Sequence, residues 1–236
     1  MRKPSLLREA LVVKLGGSLS ETGELKRWLA LITRARRPLI VVPGGGAFAD
    51  AVRRAQGETR FSDAAAHRMA ILAMHQTGLM LIAMQPRLVG VETPPQMRAA
   101  LEAGRIPVWM PLRMCDRDES IPQNWSITSD GLAARLAETL KARAVCLIKS
   151  RCCDATMCID RLAREGIADP QFAAIVTRAS LVWRVIGPGE ERKLGVALGI
   201  GGARATAVAK SAQPRRREAG RRSRRTMLSR EPHGTN

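Results

Sequence analysis

The chain has 236 residues, a formal net charge of +18 and a hydrophobic content of 45%. This length suits one generous α/β domain with a sizeable hydrophobic core. No run approaches the roughly 18 consecutive apolar residues of a membrane span, and the first residues lack the pattern of a secretory leader. We therefore expect a soluble, cytoplasmic protein without a membrane partner.

Aromatic residues are scarce, because tyrosine is absent and Phe and Trp together make up 3% of the chain. A basic protein attracts nucleotides and other anions, but nucleic-acid bases would find few side chains on which to stack. We therefore expect a small anionic molecule as the main partner, with nucleic acid binding confined to the basic tail described below.

The cysteines give no sign of a disulfide framework or a metal site. There are five of them, an odd number, which favours reduced thiols. Cys152, Cys153 and Cys158 cluster, but their spacing does not match that of common zinc sites and no histidine lies nearby. We predict no metal-ligating residues.

Apolar runs alternate along the chain with stretches of helical period. The runs predict strands at 11–15, 39–42, 106–110, 144–148 and 182–186, with a sixth near 87–91. The periodic stretches predict helices at 63–84, 94–103 and 169–179. Asp169 fits the N-cap of the last helix and Pro170 its first turn. Such alternation is typical of an α/β fold with a mainly parallel sheet and crossover helices.

Two glycine-rich turns each follow a predicted strand. The first turn joins Gly16, Gly17 and Ser18 to Lys14 in the strand, and the second is the run Gly44-Gly45-Gly46. Glycines allow consecutive backbone N–H groups to approach a phosphate or carboxylate closely, and the N-terminus of a following helix adds a favourable dipole. Either turn alone could be a simple chain reversal, but the pair predicts two anion-binding turns on one sheet.

A third motif begins a predicted helix after residue 127. Thr128 or Ser129 can cap this helix, and Asp130 lies in its first turn, where the dipole favours a carboxylate. Capping alone would explain Asp130. Alternatively, Asp130 faces the glycine turns and orients lysines around a phosphoryl group in transfer.

Two histidines, His67 and His75, lie in the predicted helix 63–84. Their spacing is not the i, i+4 spacing of a helical zinc pair. One of them could line an acceptor pocket, or both could be packed or surface residues.

The periodicity ends after Gly202. Residues 203–236 contain arginine runs and few large apolar residues, which predicts a disordered, Arg-rich tail after a domain at 1–202. Two interpretations of the tail are open. It could be an electrostatic arm that binds nucleic acid or an acidic surface, or it could be a solvated extension without a catalytic role.

The order of the three motifs resembles that of the amino acid kinase superfamily, which includes acetylglutamate, aspartate and uridylate kinases. The resemblance covers roughly residues 11–200 and implies a three-layer αβα sandwich of the carbamate kinase-like type. It also implies an ATP-dependent kinase that uses Mg²⁺ and assembles as a homo-oligomer. Segments 66–74 and 183–189 are most similar to the aminomethylfuran phosphate kinase group of methanofuran biosynthesis and its methylotroph relatives.

The resemblance further implies roles for individual residues. Lys14 would be catalytic and Asp130 would organise the catalytic lysines. The ATP phosphates would lie against Lys14, Gly16, Gly17 and Ser18. The phosphoryl acceptor would lie against Gly44, Gly45, Gly46, Thr128 and Ser129.

The chain departs from the family pattern after the fifth strand. Relatives continue into a Val-Asp-Gly turn, whereas this chain has Lys149, which could supply a catalytic positive charge or be a snorkelling side chain. The nucleotide-binding half also looks abbreviated, and a second lysine of a Gly-Gly-Met-x-x-Lys segment has no counterpart.

The function implied is transfer of the γ-phosphoryl group of Mg·ATP to a small phosphate or carboxylate acceptor, such as aminomethylfuran phosphate. The first alternative is a noncatalytic anion-binding protein of the same fold, which the short nucleotide-binding half would allow. The second is a nucleic-acid-associated protein that acts through the basic tail.

Overall fold

The computed structural model describes residues 5–151 and 157–200. The predictions for Cys152, Cys153 and the tail 203–236 lie outside these residues. In the described part of the chain, one sheet contains six strands: β1 (Leu11–Leu15), β2 (Leu39–Pro43), β3 (Leu88–Val91), β4 (Ile106–Trp109), β5 (Ala144–Ile148) and β6 (Val182–Ile186).

Helices connect the strands and cover both faces of the sheet. The same described part has a short 3-10 helix at Gly17–Ser20 and ten α-helices. The helices are α1 (Leu6–Glu9), α2 (Leu25–Ile32), α3 (Gly46–Thr59), α4 (Asp63–Met84), α5 (Pro94–Glu102), α6 (Leu112–Cys115), α7 (Ser129–Leu140), α8 (Ile159–Arg164), α9 (Pro170–Arg178) and α10 (Glu191–Ala197).

The sheet is parallel in every described pairing, with the strand order β3-β4-β2-β1-β5-β6. Strand β1 lies at the centre, between β2 and β5. The last residue of β1, Leu15, is in register with Pro43 on one side and Ile148 on the other. The two glycine turns and Lys149 therefore leave the sheet side by side, at the edge where α/β proteins bind ligands.

Alternate residues of β1 point into two separate cores, as a pleated strand requires. Val12 packs in the core that contains Leu136 of α7 and Phe172 of α9. Val13 and Leu15 pack in the opposite core, together with residues of α2 and α10. Lys14 shares the parity of Val12 and so points toward α7. These layers confirm the predicted αβα sandwich.

The predicted strands and helices lie within one residue of the observed ones, and helix 63–84 matches α4 at both ends. Within α4, Ala66 and Met74 are buried, whereas Met69 is 40% exposed. No helix in the described ranges combines the length and apolar character needed to cross a bilayer.

Candidate functional site

A cavity of about 460 Å³ opens at the carboxyl ends of β1, β2 and β5. Residues from all three sequence motifs line it. The predicted site residues among them are Lys14, Gly17, Ser18, Gly45, Gly46, Thr128, Ser129, Asp130 and Lys149. Of the predicted set, only Gly16 and Gly44 are not part of the described lining.

Two lysines meet on one carboxylate in this cavity. Lys14 Nζ lies 2.8 Å from Asp130 Oδ1, and Lys149 Nζ lies 2.5 Å from Asp130 Oδ2. The Lys14 and Asp130 side chains are only 6% and 5% exposed. Lys14 comes from the end of β1, Lys149 follows β5 directly, and Asp130 lies in the first turn of α7. Three separate segments thus build one ion-pair cluster.

Burial and mutual charge set the protonation of this cluster. Burial acts to raise the pKa of Asp130, but the charges of Lys14 and Lys149 outweigh it and hold that pKa below its ordinary value. Burial, reinforced by the charge of Lys149, lowers the pKa of Lys14 despite the opposing attraction of Asp130. Asp130 is therefore a carboxylate that holds amines in position, and it is a poor general base.

Asp169 fixes the start of α7 from a distant part of the chain. Its Oδ2 accepts hydrogen bonds from Thr128 N (2.8 Å), Thr128 Oγ1 (2.7 Å) and Gly131 N (2.8 Å). Its Oδ1 accepts from Phe172 N at 2.8 Å and so also caps α9. Burial and the nearby charge of Asp130 raise the pKa of Asp169 against these hydrogen bonds. One carboxylate thus ties two helix starts together beside Asp130.

Thr128 occupies the N-cap position of α7, as one of the two predicted candidates, but its side chain makes no capping hydrogen bond. The Thr128 hydroxyl instead donates to Asp169. Sequence reasoning had assigned Asp169 only to α9, because an N-cap is a local signal and a bond across 41 positions leaves no local pattern.

The first glycine turn is packed closely against the second. A Cβ atom on Gly17 would lie 2.1 Å from Gly46 N and 2.2 Å from Gly46 Cα, so only glycine fits there. Gly16 N–H donates to Ile148 O at 2.9 Å, and Gly44 N–H donates to Leu15 O at 2.8 Å. Gly16 and Gly44 therefore tie the turns to the sheet.

The second turn leads directly into α3. Gly45 is the N-cap of this 14-residue helix and Gly46 its first residue, with a φ of 54°. The first N–H groups of a helix lack partners within it, and the helix dipole adds positive potential at that end. Gly45 and Gly46 line the cavity, so this end of α3 can receive an anionic group.

A second group of side chains lines the cavity beyond Gly46. Arg53 lies over the ring of Trp125, with its Cζ 4.3 Å from the ring centroid, and its NH1 donates to Asp50 at 2.9 Å. Trp125 Nε1 donates to Gln56 Oε1 at 2.7 Å, which fixes the indole. Sequence reasoning missed this group, because nothing in the local pattern links α3 to residue 125.

The two histidines differ in position. His67 is buried and lines the cavity, and burial lowers its pKa, so it is a neutral imidazole at pH 7. His75 Nε2 instead accepts a hydrogen bond from Leu112 N at 3.0 Å. His75 therefore has a structural bond outside the cavity lining.

Comparisons with known proteins agree with this architecture. A model of the amino acid kinase family matches residues 9–150. The chain is also 26% identical, over 136 residues, to the [5-(aminomethyl)furan-3-yl]methyl phosphate kinase of Methanocaldococcus jannaschii. The match spans 57% of this chain and 62% of that protein, which is less than two thirds of the relative's length.

Solved structures share the fold at low sequence identity. The uridylate kinase of Archaeoglobus fulgidus superposes with a TM-score of 0.56 at 18% identity, over 81% of this chain and 95% of that one. The UMP kinase of Ureaplasma parvum gives a TM-score of 0.57 at 13% identity, over 82% and 96% of the two chains. These similarities extend the common architecture beyond the segment that the family model matches.

Proposed function

The chain belongs to the amino acid kinase family, and we propose that it transfers the γ-phosphoryl group of Mg·ATP to a small phosphorylated acceptor. The observation that carries this proposal is the cluster in which Asp130 holds Lys14 and Lys149 beside both glycine turns. Phosphoryl transfer requires mainly positioning and charge neutralisation from a protein. Two ammonium groups fixed on a buried carboxylate supply both.

In this proposal the two lysines neutralise negative charge that moves between the transferring group and the leaving ADP. An oxygen of the acceptor attacks the γ-phosphorus and forms a new P–O bond. The bond between the γ-phosphorus and the β-γ bridging oxygen breaks, and ADP leaves with the electron pair of that bond. Lys14 and Lys149 would be catalytic residues, because their ammonium groups would contact the phosphoryl oxygens of bound ATP. Asp130 is a positioning residue, since both of its oxygens lie against lysines.

The residues of the cavity fit the phosphates of a nucleotide. Lys14, Lys149 and the hydroxyl of Ser18 are near one another, because Ser18 Oγ lies 2.9 Å from Ser150 Oγ next to Lys149. Among the residues that the structure describes, no group of three or more His, Cys, Asp or Glu side chains could hold a metal alone. Mg²⁺ commonly binds through substrate phosphates and water, where it neutralises phosphate charge, so it would accompany ATP.

The acceptor would lie against Gly45, Gly46 and the group around Trp125. The M. jannaschii relative is named for an acceptor that carries both an aminomethyl group and a phosphate. Arg53 and Asp50 present one positive and one negative group to the cavity. We propose [5-(aminomethyl)furan-3-yl]methyl phosphate as the acceptor, with Arg53 binding its phosphate and Asp50 its ammonium group.

The test is an assay of ADP formation with purified protein and Mg·ATP, using either this acceptor or UMP. We expect turnover with the aminomethylfuran phosphate and little with UMP. Lys14→Met should lower the rate by about 10²- to 10³-fold, the usual cost of one transition-state contact. Lys26→Met, on the exposed side of α2, is the matched control and should leave the rate unchanged.

Two results would contradict the proposal. Equal rates for wild type and Lys14→Met would remove the lysine cluster from the mechanism. ATP binding without ADP formation for either acceptor would instead favour a noncatalytic anion-binding protein of the same fold.

A further inference from the structure

A second cavity, of about 360 Å³, lies between α6, the end of β4 and the outer side of α7. It shares no lining residue with the first cavity. Its size is at the small end of the range of protein ligand sites. The lining combines apolar residues with a charged part that contains more positive than negative side chains. The apolar residues are Trp109, Met114, Cys115, Ile121 and Leu136, and the charged ones are Arg113, Arg117, Arg135 and Asp118.

The arginines are not equally engaged. Arg135 Nε donates to Asp118 Oδ2 at 2.6 Å and its NH1 donates to Glu138 Oε2 at 2.7 Å, so its charge is satisfied within the protein. Arg113 lies 3.8 Å from Glu92, at the outer limit of an ion pair. The side chain of Arg117 makes no ion pair or hydrogen bond with any described residue. Arg113 and Arg117 thus have positive charge to offer a ligand.

The apolar part contains a donor without an acceptor. Trp109 is 2% exposed and lines the cavity, and its buried indole Nε1–H has no hydrogen-bond partner among the described residues. Because the Nε1 atom is itself buried, Trp109 offers a ligand apolar ring surface rather than a hydrogen-bond donor. Burial raises the pKa of Cys115 to about 12, so its thiol is neutral and adds no negative charge to the cavity.

From this lining we propose that the second cavity binds a small organic anion with a flat apolar body. The apolar body would pack against Trp109, Met114 and Leu136. Its carboxylate or similar acidic group would pair with Arg113 and Arg117. The site is separate from the phosphoryl-transfer cluster and is independent of the acceptor proposed above.

The test uses 2-naphthoate as the probe and protein labelled with carbon-13 at the methionine methyl groups. Met114 lines the second cavity and Met74 lines the first, so two NMR signals distinguish the sites. The signals are assigned with single Met→Leu variants. We expect a saturable shift of the Met114 signal and no change at Met74. The uncharged 2-naphthamide should bind at least tenfold more weakly.

Variants of the lining residues distinguish the contribution of the arginine charges to binding from that of the cavity volume. In the double variant Arg113→Gln/Arg117→Gln, naphthoate affinity should fall at least tenfold while naphthamide affinity stays the same. Arg98→Gln, an exposed arginine of α5, is the matched control and should bind as wild type.

Thr139→Trp, which adds bulk at the lining, should abolish binding of both probes. A response at Met74 alone, no saturable response at Met114, or unchanged naphthoate affinity in the double variant would each overturn the proposal.

Discussion

The two glycine turns have similar sequences and lie at the same sheet edge, yet they differ in their contacts and in the helices that they begin. In the first turn, Gly16 is hydrogen-bonded to β5 and Gly17 is pressed against the backbone of Gly46. The 3-10 helix that begins within this turn has only four residues, Gly17–Ser20. The second turn begins a 14-residue helix, and the first N–H groups of a helix have no partner within it.

This difference teaches that glycine content alone does not identify an anion-binding turn. Neighbouring backbone occupies the space of a side chain in both turns, at Gly17 in the first and at Gly44 in the second. The first turn also supports Lys14 in the strand before it. The second turn presents a helix N-terminus to the cavity.

The largest effect on stability is expected from Gly17→Ala. Its Cβ would overlap the Gly46 backbone, so the two turns would have to separate. We expect a loss of about 3 kcal/mol or more in the free energy of unfolding, measured by urea denaturation. Gly57→Ala in α3 is the control, since its Cβ meets nothing within 4 Å and Ala favours a helix by up to about 1 kcal/mol. A Gly17→Ala protein as stable as wild type would show that the turns are not in contact.

Asp169→Asn should have the next largest effect, because it disturbs the start of α7. That helix carries Asp130, which holds Lys14. Four donors converge on the Asp169 carboxylate, and an amide would present N–H groups to one or two of them. We expect a loss of roughly 1 to 3 kcal/mol in urea denaturation. Asp63→Asn, an exposed aspartate at the start of α4, should change stability far less. Equal effects of the two substitutions would contradict the cross-helix role of Asp169.

Gly46→Ala tests the second turn and should cost less than Gly17→Ala. Gly46 has a φ of 54°, a left-handed conformation that costs an alanine roughly 1 to 2 kcal/mol. The nearest atoms to its added Cβ are at 3.2 to 3.4 Å, a tight but tolerable distance. Thermal unfolding of both glycine variants in one buffer gives the comparison. If Gly46→Ala lowered the unfolding temperature more than Gly17→Ala, the second turn would contribute more to stability than the first, against this expectation.

The smallest expected effect is a shift in the titration of Asp130. Lys14 and Lys149 hold the pKa of Asp130 below its ordinary value of 3.8. Its charged form therefore contributes stability above about pH 3.8, and this contribution is lost as the pH falls through the folded-state pKa. Carboxyl carbon-13 NMR should show Asp130 still ionised at pH 3.8. In Lys14→Met the pKa should move upward, and an unchanged value would mean that the ion pair is absent.

Much of the candidate site could be predicted from local sequence. The apolar runs before Gly16 and Gly44 gave the strands, and the parallel sheet followed from their alternation with helices. Because the carboxyl ends of parallel strands meet at one edge, Lys14 and Lys149 could be expected near one another. The sequence left two interpretations of Asp130 open, and the resemblance to the amino acid kinase superfamily favoured the one in which it holds lysines. The 2.8 and 2.5 Å contacts of the two lysines with Asp130 agree with that interpretation of its position.

Other features could not be predicted, since they depend on contacts between distant segments. The bonds from Thr128 and Gly131 to Asp169 exist only after α7 and α9 pack together. The stacking of Arg53 on Trp125 joins α3 to a loop far along the chain. The second cavity could not be predicted from local sequence either, because it forms only where the end of β4 meets α6 and α7.

The sequence by itself determined the α/β class, the strand and helix positions and the residue types at the sheet edge, because hydrophobic period, glycine content and capping are properties of neighbouring residues. Tertiary structure alone decided which carboxylate caps α7, why Gly17 must be glycine and which arginines of the second cavity keep free charge. The reason is physical: hydrogen bonding, steric exclusion and charge pairing act over a few ångströms, and only folding brings residues that are remote in the chain within that distance.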